Sequence, residues 1–285
     1  MHVISTIAEM QELANSVKLA GRTVGCVPTM GSLHSGHGSL ISASSAHHAM
    51  TVTSVFVNPT QFGPNEDFDA YPRDLDGDIA RIAASGGTHV FAPSVAEMYP
   101  EGFSTSIRVG GVTDLLEGAR RPGHFDGVAT IVCKLLEAMR PTEAYFGQKD
   151  YQQTLVIKHL VRDLFLPVRV SVMPTVREQD GLAMSSRNVY LSPEDRSQAT
   201  VLYRALMHGK ELVQAASDRI SRQAIERAMV HTLESVEQLK IEYAVAVDAD
   251  TLVGQDSYAT GDHVALLIAA RLGSTRLIDN VLVAL

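Results

Sequence analysis

Short apolar, β-branched runs alternate with segments of helical spacing through the first 174 residues. The strand-like runs lie at 23–28, 51–58, 88–93, 143–147 and 168–174. The segments with helical character lie at 38–50, 74–85, 128–139 and 152–164. This alternation favours βαβ units wound into a parallel sheet with helices on both faces. We therefore predict a Rossmann-like α/β domain over residues 1–175.

The pattern changes after Pro174. A polar loop leads into two long helical patterns at about 194–215 and 218–237, and strand-like runs follow at 241–248, 264–270 and 277–284. Helices followed by strands that are close neighbours in sequence are typical of an α+β unit with an antiparallel sheet. We therefore predict a second, smaller α+β domain over residues 176–285.

Composition narrows the classes of partner. Of the 285 residues, 45% are hydrophobic and 20% are charged, which is typical of a folded chain. The net charge of −8 disfavours a nucleic-acid partner. No basic segment precedes an apolar stretch at the start, and the apolar run at 264–270 is far shorter than the roughly 20 residues that span a bilayer. We expect no membrane partner, a cytoplasmic location, and Cys26 and Cys133 as reduced thiols buried among apolar residues.

The first candidate binding residues directly follow the first predicted strand, in the sequence PTMGSLHSGH at 28–37. The chain has neither GxxxxGK[ST] nor GxGxxG, but this turn carries His34 and His37 and opens into a predicted helix. Glycines allow close approach to a ligand, and helix N–H groups and imidazoles can donate to phosphate oxygens. We predict a phosphate site here. The alternatives are structural histidines or half of a zinc site, although no HExxH or Cys/His set accompanies them. His47 and His48 are expected on the helix surface.

Two further segments contain positively charged side chains that could bind phosphate. In the loop GLAMSSRN at 181–188, two hydroxyls precede Arg187, whose guanidinium could clamp a triphosphate. Alternatively, its two serines merely cap the helix that follows Leu191. Lys149 lies where a strand ends, at the edge of the sheet where it could stabilise charge on a phosphoryl group, although a lone loop lysine is more often simply solvated.

Two glutamines offer a different kind of contact. Gln61 follows the strand-like run at 51–58, and Gln153 opens the helix after 143–147. A side-chain amide both donates and accepts hydrogen bonds. Together the two amides could orient a small hydroxylated carboxylate.

These segments together resemble the pantoate–β-alanine ligase (pantothenate synthetase) family, nucleotidyltransferases with HIGH-type and KMSKS-type motifs. The resemblance rests on motifs in one order: PTMGxLHxGH at 28–37, FVNPTQF at 56–62, YPR at 71–73, RPGHFxGV at 121–128, YFGQKDYQQ at 145–153, REQDGLAMSSRNxYL at 177–191 and TRLIDN at 275–280. It implies ATP-dependent condensation of pantoate with β-alanine through a pantoyl adenylate, releasing pyrophosphate and AMP. It also implies a homodimer. For this reaction we expect Mg²⁺ to bridge the phosphates. Because acyl adenylates hydrolyse in water, we also expect a lid formed by the C-terminal domain or the loop 58–69.

The resemblance also implies residue roles. The expected catalytic residues are His34, His37, Lys149 and Arg187, with His37 as general acid for the departing pyrophosphate. ATP is expected to contact Met30, Gly31, Ser32, Leu33, His34, Ser35, Gly36, His37, Gly147, Gln148, Lys149, Asp150, Val176, Met184, Ser185, Ser186 and Arg187. Gln61 and Gln153 are expected to bind pantoate, with Gln61 also near β-alanine. Asp78 is the candidate Mg²⁺ contact, but Gly77 precedes it where the family often has an acidic pair, and Ser35 stands where the family commonly has glutamate.

Three other functions share parts of this pattern. A nucleotidyltransferase that moves AMP onto a phosphate-bearing acceptor would need further cations near the glutamines, and none is adjacent to Gln61. A class I tRNA synthetase would need a tRNA-binding module, for which the acidic chain offers no evident candidate. A nucleotide sensor without catalysis would have no need to keep His34, His37, Lys149 and Arg187 together.

Overall fold

The computed structural model describes residues 1–64 and 66–285, which form two compact units. The N-terminal unit comprises Met1–Gln148 and Gln152–Pro174. The C-terminal unit comprises Lys149–Tyr151 and Thr175–Leu285. Among the described residues, no helix combines the length and apolar character needed to cross a bilayer.

A six-stranded, all-parallel sheet organises the N-terminal unit. Its strands are β1 (His2–Ile4), β2 (Val24–Thr29), β3 (Met50–Val55), β4 (His89–Phe91), β5 (Glu143–Gly147) and β6 (Arg169–Met173). Their order is β1-β4-β3-β2-β5-β6, so the direction of winding reverses between β2 and β5. In open parallel sheets, ligands bind beyond the carboxyl ends of the strands at such a reversal. The sheet confirms the predicted Rossmann-like architecture. The loops after β2 and β5 are therefore the expected place for a ligand.

Among the described residues, seven α-helices connect these strands: α1 (Ile7–Leu19), α2 (Ser35–His47), α3 (Leu75–Ala84), α4 (Val95–Met98), α5 (Leu116–Arg120), α6 (His124–Met139) and α7 (Tyr151–Asp163), whose first residue belongs to the C-terminal unit. α1 and α6 pack together and both contact β2. Residues of α2 and α3 join strand residues in one buried cluster, which includes Val27, Leu40, Ile41, Ile82, Val90 and Tyr145. Burial of this apolar surface holds α2, and with it the loop after β2, against the sheet.

The C-terminal unit is α+β, as predicted. Its elements are α8 (Pro193–Gln198), α9 (Val201–Ala215), β7 (Arg219–Ser221), α10 (Arg222–Leu233), β8 (Lys240–Asp248), β9 (Ser257–Ala259), β10 (His263–Leu272) and β11 (Thr275–Ala284). An antiparallel sheet has the order β11-β10-β8, and β7 pairs with β9. Its buried core includes Leu202, Leu206, Ile225, Met229, Leu266 and Ile268.

Several predicted boundaries are wrong for local reasons. The helix expected at 194–215 is divided into α8 and α9, where the Thr200 hydroxyl donates to the Ser197 carbonyl. The helix expected at 218–237 is shorter because 219–221 pairs as a strand and Ser221 caps α10 by accepting from the Ala224 N–H. No predicted element corresponds to β1, α1, α4, α5 or β9.

The prediction that His48 lies on a helix surface is wrong. Its side chain is 3% exposed, and its Nε2 lies 3.3 Å from Glu143 Oε2 and 3.0 Å from the Tyr145 hydroxyl. Glu143 also accepts hydrogen bonds from Arg169 and Ser171. Because Glu143 and Arg169 open β5 and β6, this cluster ties strands together at the amino edge of the sheet, opposite the edge predicted to bind ligands. His47 is exposed, as predicted, Cys26 is buried, and Cys133 is half-buried.

We expect His48 to contribute to loss of stability in acid. Burial lowers the pKa of His48 despite the neighbouring Glu143 carboxylate, and its buried Nδ1 has no partner among the described residues. The unfolded chain therefore takes up a proton near pH 6.5 that the folded chain does not, so the contribution is complete above that pH and is lost as pH falls. Between about pH 7.5 and about pH 5.5, wild type should lose up to about 1 kcal/mol more stability than His48→Gln. Urea unfolding at both pH values tests this, and equal losses would contradict it.

Candidate active site

The loop after β2 is fixed by a buried carboxylate. Asp78 of α3 accepts hydrogen bonds from the backbone N–H groups of Ser32 at 2.9 Å and Leu33 at 2.7 Å. Gly31 has φ +80°, and a Cβ there would lie 2.8 Å from Asp78 Oδ2, so the turn needs glycine. Burial raises the pKa of Asp78, while the two N–H groups stabilise its ionised form. Asp78 thus anchors the loop that the sequence analysis assigned to ATP.

The same geometry bears on the Mg²⁺ prediction. Each oxygen of the Asp78 carboxylate already accepts a backbone N–H. Within the described part of the chain, no group of three or more His, Cys, Asp or Glu side chains could form a metal cage. The donor set therefore does not fit a cation held by the protein alone. A contact between Asp78 and Mg²⁺ stays a prediction.

His34 and His37 form a reciprocal cap at the start of α2. Nδ1 of His34 accepts from the Gly36 N–H at 3.1 Å, and Nδ1 of His37 accepts from the His34 N–H at 3.3 Å. The ring centroids are 4.2 Å apart. Because both Nδ1 atoms accept a hydrogen bond, each neutral ring carries its proton on Nε2. The backbone therefore selects the tautomer in which Nε2 is a donor suited to a phosphate oxygen.

The turn after β3 brings Gln61 beside Met30. Asn58 Nδ2 donates to Gln61 Oε1 at 3.1 Å, and Gln61 Nε2 lies 3.1 Å from Met30 Sδ. Tyr99 in turn donates its hydroxyl hydrogen to Asn58 Oδ1 at 2.7 Å. Gln61 is 9% exposed. Because Asn58 occupies the amide oxygen, Gln61 is oriented to offer N–H donors to a ligand.

The first turn of α6 holds the main chain of Gln61. Arg121 pairs with Glu66 through two contacts of 2.6 Å and donates from Nη1 to Nε2 of His124 at 2.9 Å. Since a guanidinium only donates, His124 carries its proton on Nδ1 and donates it to the Gln61 carbonyl at 2.8 Å. Burial, aided by Arg121, lowers the pKa of His124 to about 4. His124 is therefore a neutral link between Arg121 and Gln61.

Gly127 permits this contact between α6 and the Gln61 turn. A Cβ at Gly127 would lie 2.4 Å from the Thr60 carbonyl oxygen and 2.8 Å from Gln61 Cα. Asn58, His124 and Gly127 belong to motifs of the sequence, but no role was predicted for them. Their place within FVNPTQF and RPGHFxGV was the available signal, whereas the contact between residues 61 and 124 could not be predicted from periodicity.

The two consecutive glutamines after β5 behave differently. Gln152 is buried, accepts from the Glu117 N–H at 3.0 Å and donates to the carbonyls of Val112 at 2.6 Å and Leu115 at 2.8 Å. Gln153 is half-buried and forms no side-chain hydrogen bond with any described residue. Gln152 is therefore structural, and Gln153 keeps the hydrogen-bonding capacity that a ligand requires.

In the C-terminal unit, the segment predicted to clamp a triphosphate begins in a tight hairpin over 176–184, in which Arg177 pairs with Ala183. Met184 N–H donates to the Val176 carbonyl at 3.0 Å, and Gly181, at φ +94°, has no room for a Cβ beside Tyr203. Ser185 accepts from the Arg187 N–H at 3.3 Å and caps the short turn Ser186–Tyr190. The alternative in which both serines cap the helix after Leu191 is wrong, because Ser192 caps α8.

The predicted site residues are divided between the units. The N-terminal unit contains 30–37, Gln61, Asp78, Gly147, Gln148 and Gln153. Within it, Met30 contacts Gln61, Asp78 contacts the loop after β2, and these residues and Gly147 lie at or beyond the carboxyl ends of adjacent strands. The C-terminal unit contains Lys149, Asp150, Val176 and 184–187. Lys149 Nζ lies 3.8 Å from Asp150 Oδ1, and the Lys149 side chain is 20% exposed.

Known proteins match this chain almost from end to end. A sequence model of the family described as pantoate-beta-alanine ligase matches residues 2–282. The pantothenate synthetase of Acetivibrio thermocellus is 49% identical over 283 residues, which is 99% of each chain. That of Moorella thermoacetica is 48% identical over 281 residues, covering 99% of this chain and 98% of the relative.

Solved structures agree with the sequence matches. The crystal structure of pantothenate synthetase from Thermus thermophilus has a TM-score of 0.91 and 47% identity, and the match covers 99% of both chains. A pantoate-beta-alanine ligase from Francisella tularensis, in complex with beta-gamma ATP and beta-alanine, has a TM-score of 0.78 and 34% identity, covering 99% of this chain and 97% of that one. By sequence and by fold, this chain belongs to the pantoate–β-alanine ligase family.

Proposed function

We propose that this chain joins pantoate to β-alanine at the expense of ATP, through a pantoyl-adenylate intermediate. The observation that carries the proposal is the edge of the parallel sheet, where a helix start capped by two histidines follows β2 and the Gln61 amide contacts the same loop through Met30. Such an edge supplies donors for a polyphosphate and an oriented donor for a small acid. The Francisella relative carries a nucleotide and β-alanine, which supports the same pair of substrates here.

The nucleotide is proposed to bind through two sets of groups. In the N-terminal unit, these are the backbone and side chains of 30–37 together with Gly147 and Gln148. Nε2–H of His34 and of His37 would donate to phosphate oxygens, and the N-terminus of α2 adds backbone N–H groups and its dipole. In the C-terminal unit, the proposed contacts are Lys149, Asp150, Val176, Met184, Ser185, Ser186 and Arg187.

The first chemical step is adenylation. A carboxylate oxygen of pantoate attacks the α-phosphorus of ATP, one P–O bond forms, and the bond to the β-phosphate bridge breaks with loss of pyrophosphate. Lys149 and Arg187 neutralise the charge that spreads over the phosphoryl groups. His37 stabilises the departing pyrophosphate through its Nε2 proton, because its Nδ1 is held by the His34 N–H.

The second step forms the amide. The neutral amine of β-alanine attacks the acyl carbon, the acyl–phosphate bond breaks, AMP leaves, and the amine loses a proton. Gln61 is proposed to hold the acid through its N–H groups and to lie near the incoming amine, and Gln153 is proposed as the second amide on pantoate. An acid held at both amides keeps its carboxylate aligned with the α-phosphorus.

Gln153→Ala is expected to raise the KM for pantoate about tenfold or more, with the KM for ATP and the melting temperature nearly unchanged. The reason is that Gln153 forms no described hydrogen bond within the protein. Gln152→Ala is the matched control, since it removes three internal hydrogen bonds and should lower the melting temperature. Substrate titrations and thermal melts check both variants. An unchanged pantoate KM in Gln153→Ala would remove that residue from the site.

Three finer assignments accompany the proposal. Mg²⁺ is proposed to arrive on the ATP phosphates, since it commonly binds through substrate phosphates and one or two carboxylates. The protein is proposed to act as a homodimer in the cytoplasm, as the resemblance to its family implies. Sedimentation velocity and fractionation of cells test the last two assignments.

Product formation tests the function itself. Purified protein with ATP, Mg²⁺, pantoate and β-alanine should yield AMP and pantothenate in equal amounts by mass spectrometry. Omission of any one of the three substrates should abolish pantothenate. Formation of ADP in place of AMP would contradict an adenylate route, and absence of pantothenate from the complete mixture would contradict the function.

A further inference from the structure

Two adjacent residues of β11, Asp279 and Asn280, each hold a different segment of the C-terminal unit. Asp279 accepts from the Arg177 guanidinium at 2.6 and 2.9 Å. Asn280 Nδ2 donates to the main-chain carbonyl of Lys149 at 2.9 Å. Both residues are buried, at 3% and 2% exposure. They belong to the TRLIDN motif, to which the function described so far gives no role.

Asp279 anchors the hairpin that leads to 184–187. Arg177 stands at its base, donates to the carbonyls of Gly181 at 3.0 Å and Asn280 at 3.2 Å, and stacks on Tyr203 with its Cζ 4.2 Å from the ring centroid. Burial raises the pKa of Asp279, and Arg177 opposes that shift. Because a buried charge without its partner is strongly destabilising, this pair fixes the hairpin to β11.

Asn280 fixes the backbone at Lys149 itself. Lys149 lies in the 3₁₀ helix Gln148–Asp150, a single three-residue turn between β5 and α7. The bond from Asn280 holds the peptide directly after Lys149, and Tyr151 secures the end of the turn by donating to the Ala249 carbonyl at 2.6 Å. The position of the Lys149 Cα, and so the reach of its ammonium group, depends on these ties.

We propose that Asn280 is a positioning residue for Lys149. Asn280 fixes the position of Lys149, and Asp279, its neighbour in β11, fixes the hairpin that leads to 184–187. The inference rests on the role in adenylation proposed above for Lys149. A cation placed for a transition state loses effect when it is displaced by an ångström or so, while ATP binding, shared among many contacts, changes little. Asn280 therefore acts on the rate through Lys149 and does not touch the substrates.

A double-mutant cycle tests this role. Asn280→Ala should lower kcat for pantoate-dependent adenylation by about tenfold to a hundredfold and leave the KM for ATP within about threefold. In a Lys149→Ala background the same change should lower kcat by less than about twofold, because Asn280 then has no cation to position. Tyr258→Phe is the matched control, since it removes a buried bond of 2.8 Å from a side chain to the Ala246 carbonyl elsewhere in this unit. It should lower the melting temperature without this loss of rate.

A second measurement does not depend on activity. Acetic anhydride labelling with mass spectrometry reports the accessibility of Lys149, with the exposed Lys158 as internal reference. Asn280→Ala should label Lys149 faster than wild type while Lys158 is unchanged. If Asn280→Ala does not fold, Asn280→Leu, which keeps a branched side chain of similar size and removes the donor without adding a charge, replaces it in both measurements.

The outcomes separate this inference from the proposed function. The positioning role would be overturned if Asn280→Ala lowered kcat by the same factor in wild type and in Lys149→Ala. It would also be overturned if Asn280→Ala left the labelling rate of Lys149 unchanged. If Lys149→Ala alone leaves adenylation unchanged, the role of Lys149 fails, and labelling still decides whether Asn280 holds the lysine.

Discussion

Lys149→Ala is expected to slow pantoate-dependent adenylation by a factor of about 100 to 1,000 while the KM for ATP stays within about threefold. Negative charge spreads over the phosphoryl oxygens as the bond to pyrophosphate breaks, so an ammonium group aimed there is worth more in the transition state than in the ground state. Isotope exchange between pyrophosphate and ATP, with both substrates titrated, measures the two constants separately.

Two controls sharpen this result. Lys149→Arg keeps the charge and should recover part of the lost rate, less than all of it because a planar guanidinium occupies a different position. Lys158→Ala removes an exposed lysine of α7, the helix that follows Lys149 in sequence. It should leave the rate of adenylation and the KM for ATP unchanged. Equal losses in rate and in ATP affinity for Lys149→Ala would instead assign Lys149 to ground-state binding.

Gly127→Ala is expected to raise the KM for pantoate about tenfold or more and to lower the free energy of unfolding by about 1–3 kcal/mol. Alanine normally stabilises a helix relative to glycine. Here its methyl group would meet the Thr60 carbonyl oxygen at 2.4 Å and Gln61 Cα at 2.8 Å, so the Gln61 turn must move away from α6. Pantoate titration and urea unfolding provide the two measurements.

The matched control is Gly110→Ala. A Cβ at Gly110 would meet nothing within 4 Å, and Gly110 does not have a positive φ. That variant should be as active and as stable as wild type. If Gly127→Ala binds pantoate normally, the position of Gln61 does not depend on its close packing against α6.

The strands of the N-terminal sheet could be predicted because each buried strand is a short apolar run between polar turns. β5 was predicted at its observed bounds of Glu143–Gly147, and β6 within a residue at each end. β1 has only three residues at the edge of the sheet, and its pairing with β4 joins segments far apart in sequence. No local pattern indicates such a strand, which forms because the sheet supplies its partner.

The sequence was enough to predict which segments contain site residues. It was not enough to predict the contacts between those residues. The sequence indicated that 28–37 and Gln61 carry chemistry, and the structure adds that Asn58 occupies the amide oxygen of Gln61 and that backbone N–H groups select the tautomers of His34 and His37. His48 shows the reverse case, because its burial depends on Glu143, 95 residues away. Donor direction and burial both arise from tertiary contacts, which single-sequence patterns do not encode.

We propose above that the chain activates pantoate as an adenylate before the amine takes part. The most direct measurement is exchange of labelled pyrophosphate into ATP, with Mg²⁺ and pantoate present and β-alanine absent. We expect exchange that requires pantoate, is not supported by a related hydroxy acid, and falls by about 100-fold or more in Lys149→Ala. Pantothenate formation without any pantoate-dependent exchange would contradict a freely reversible adenylation step that precedes the amine.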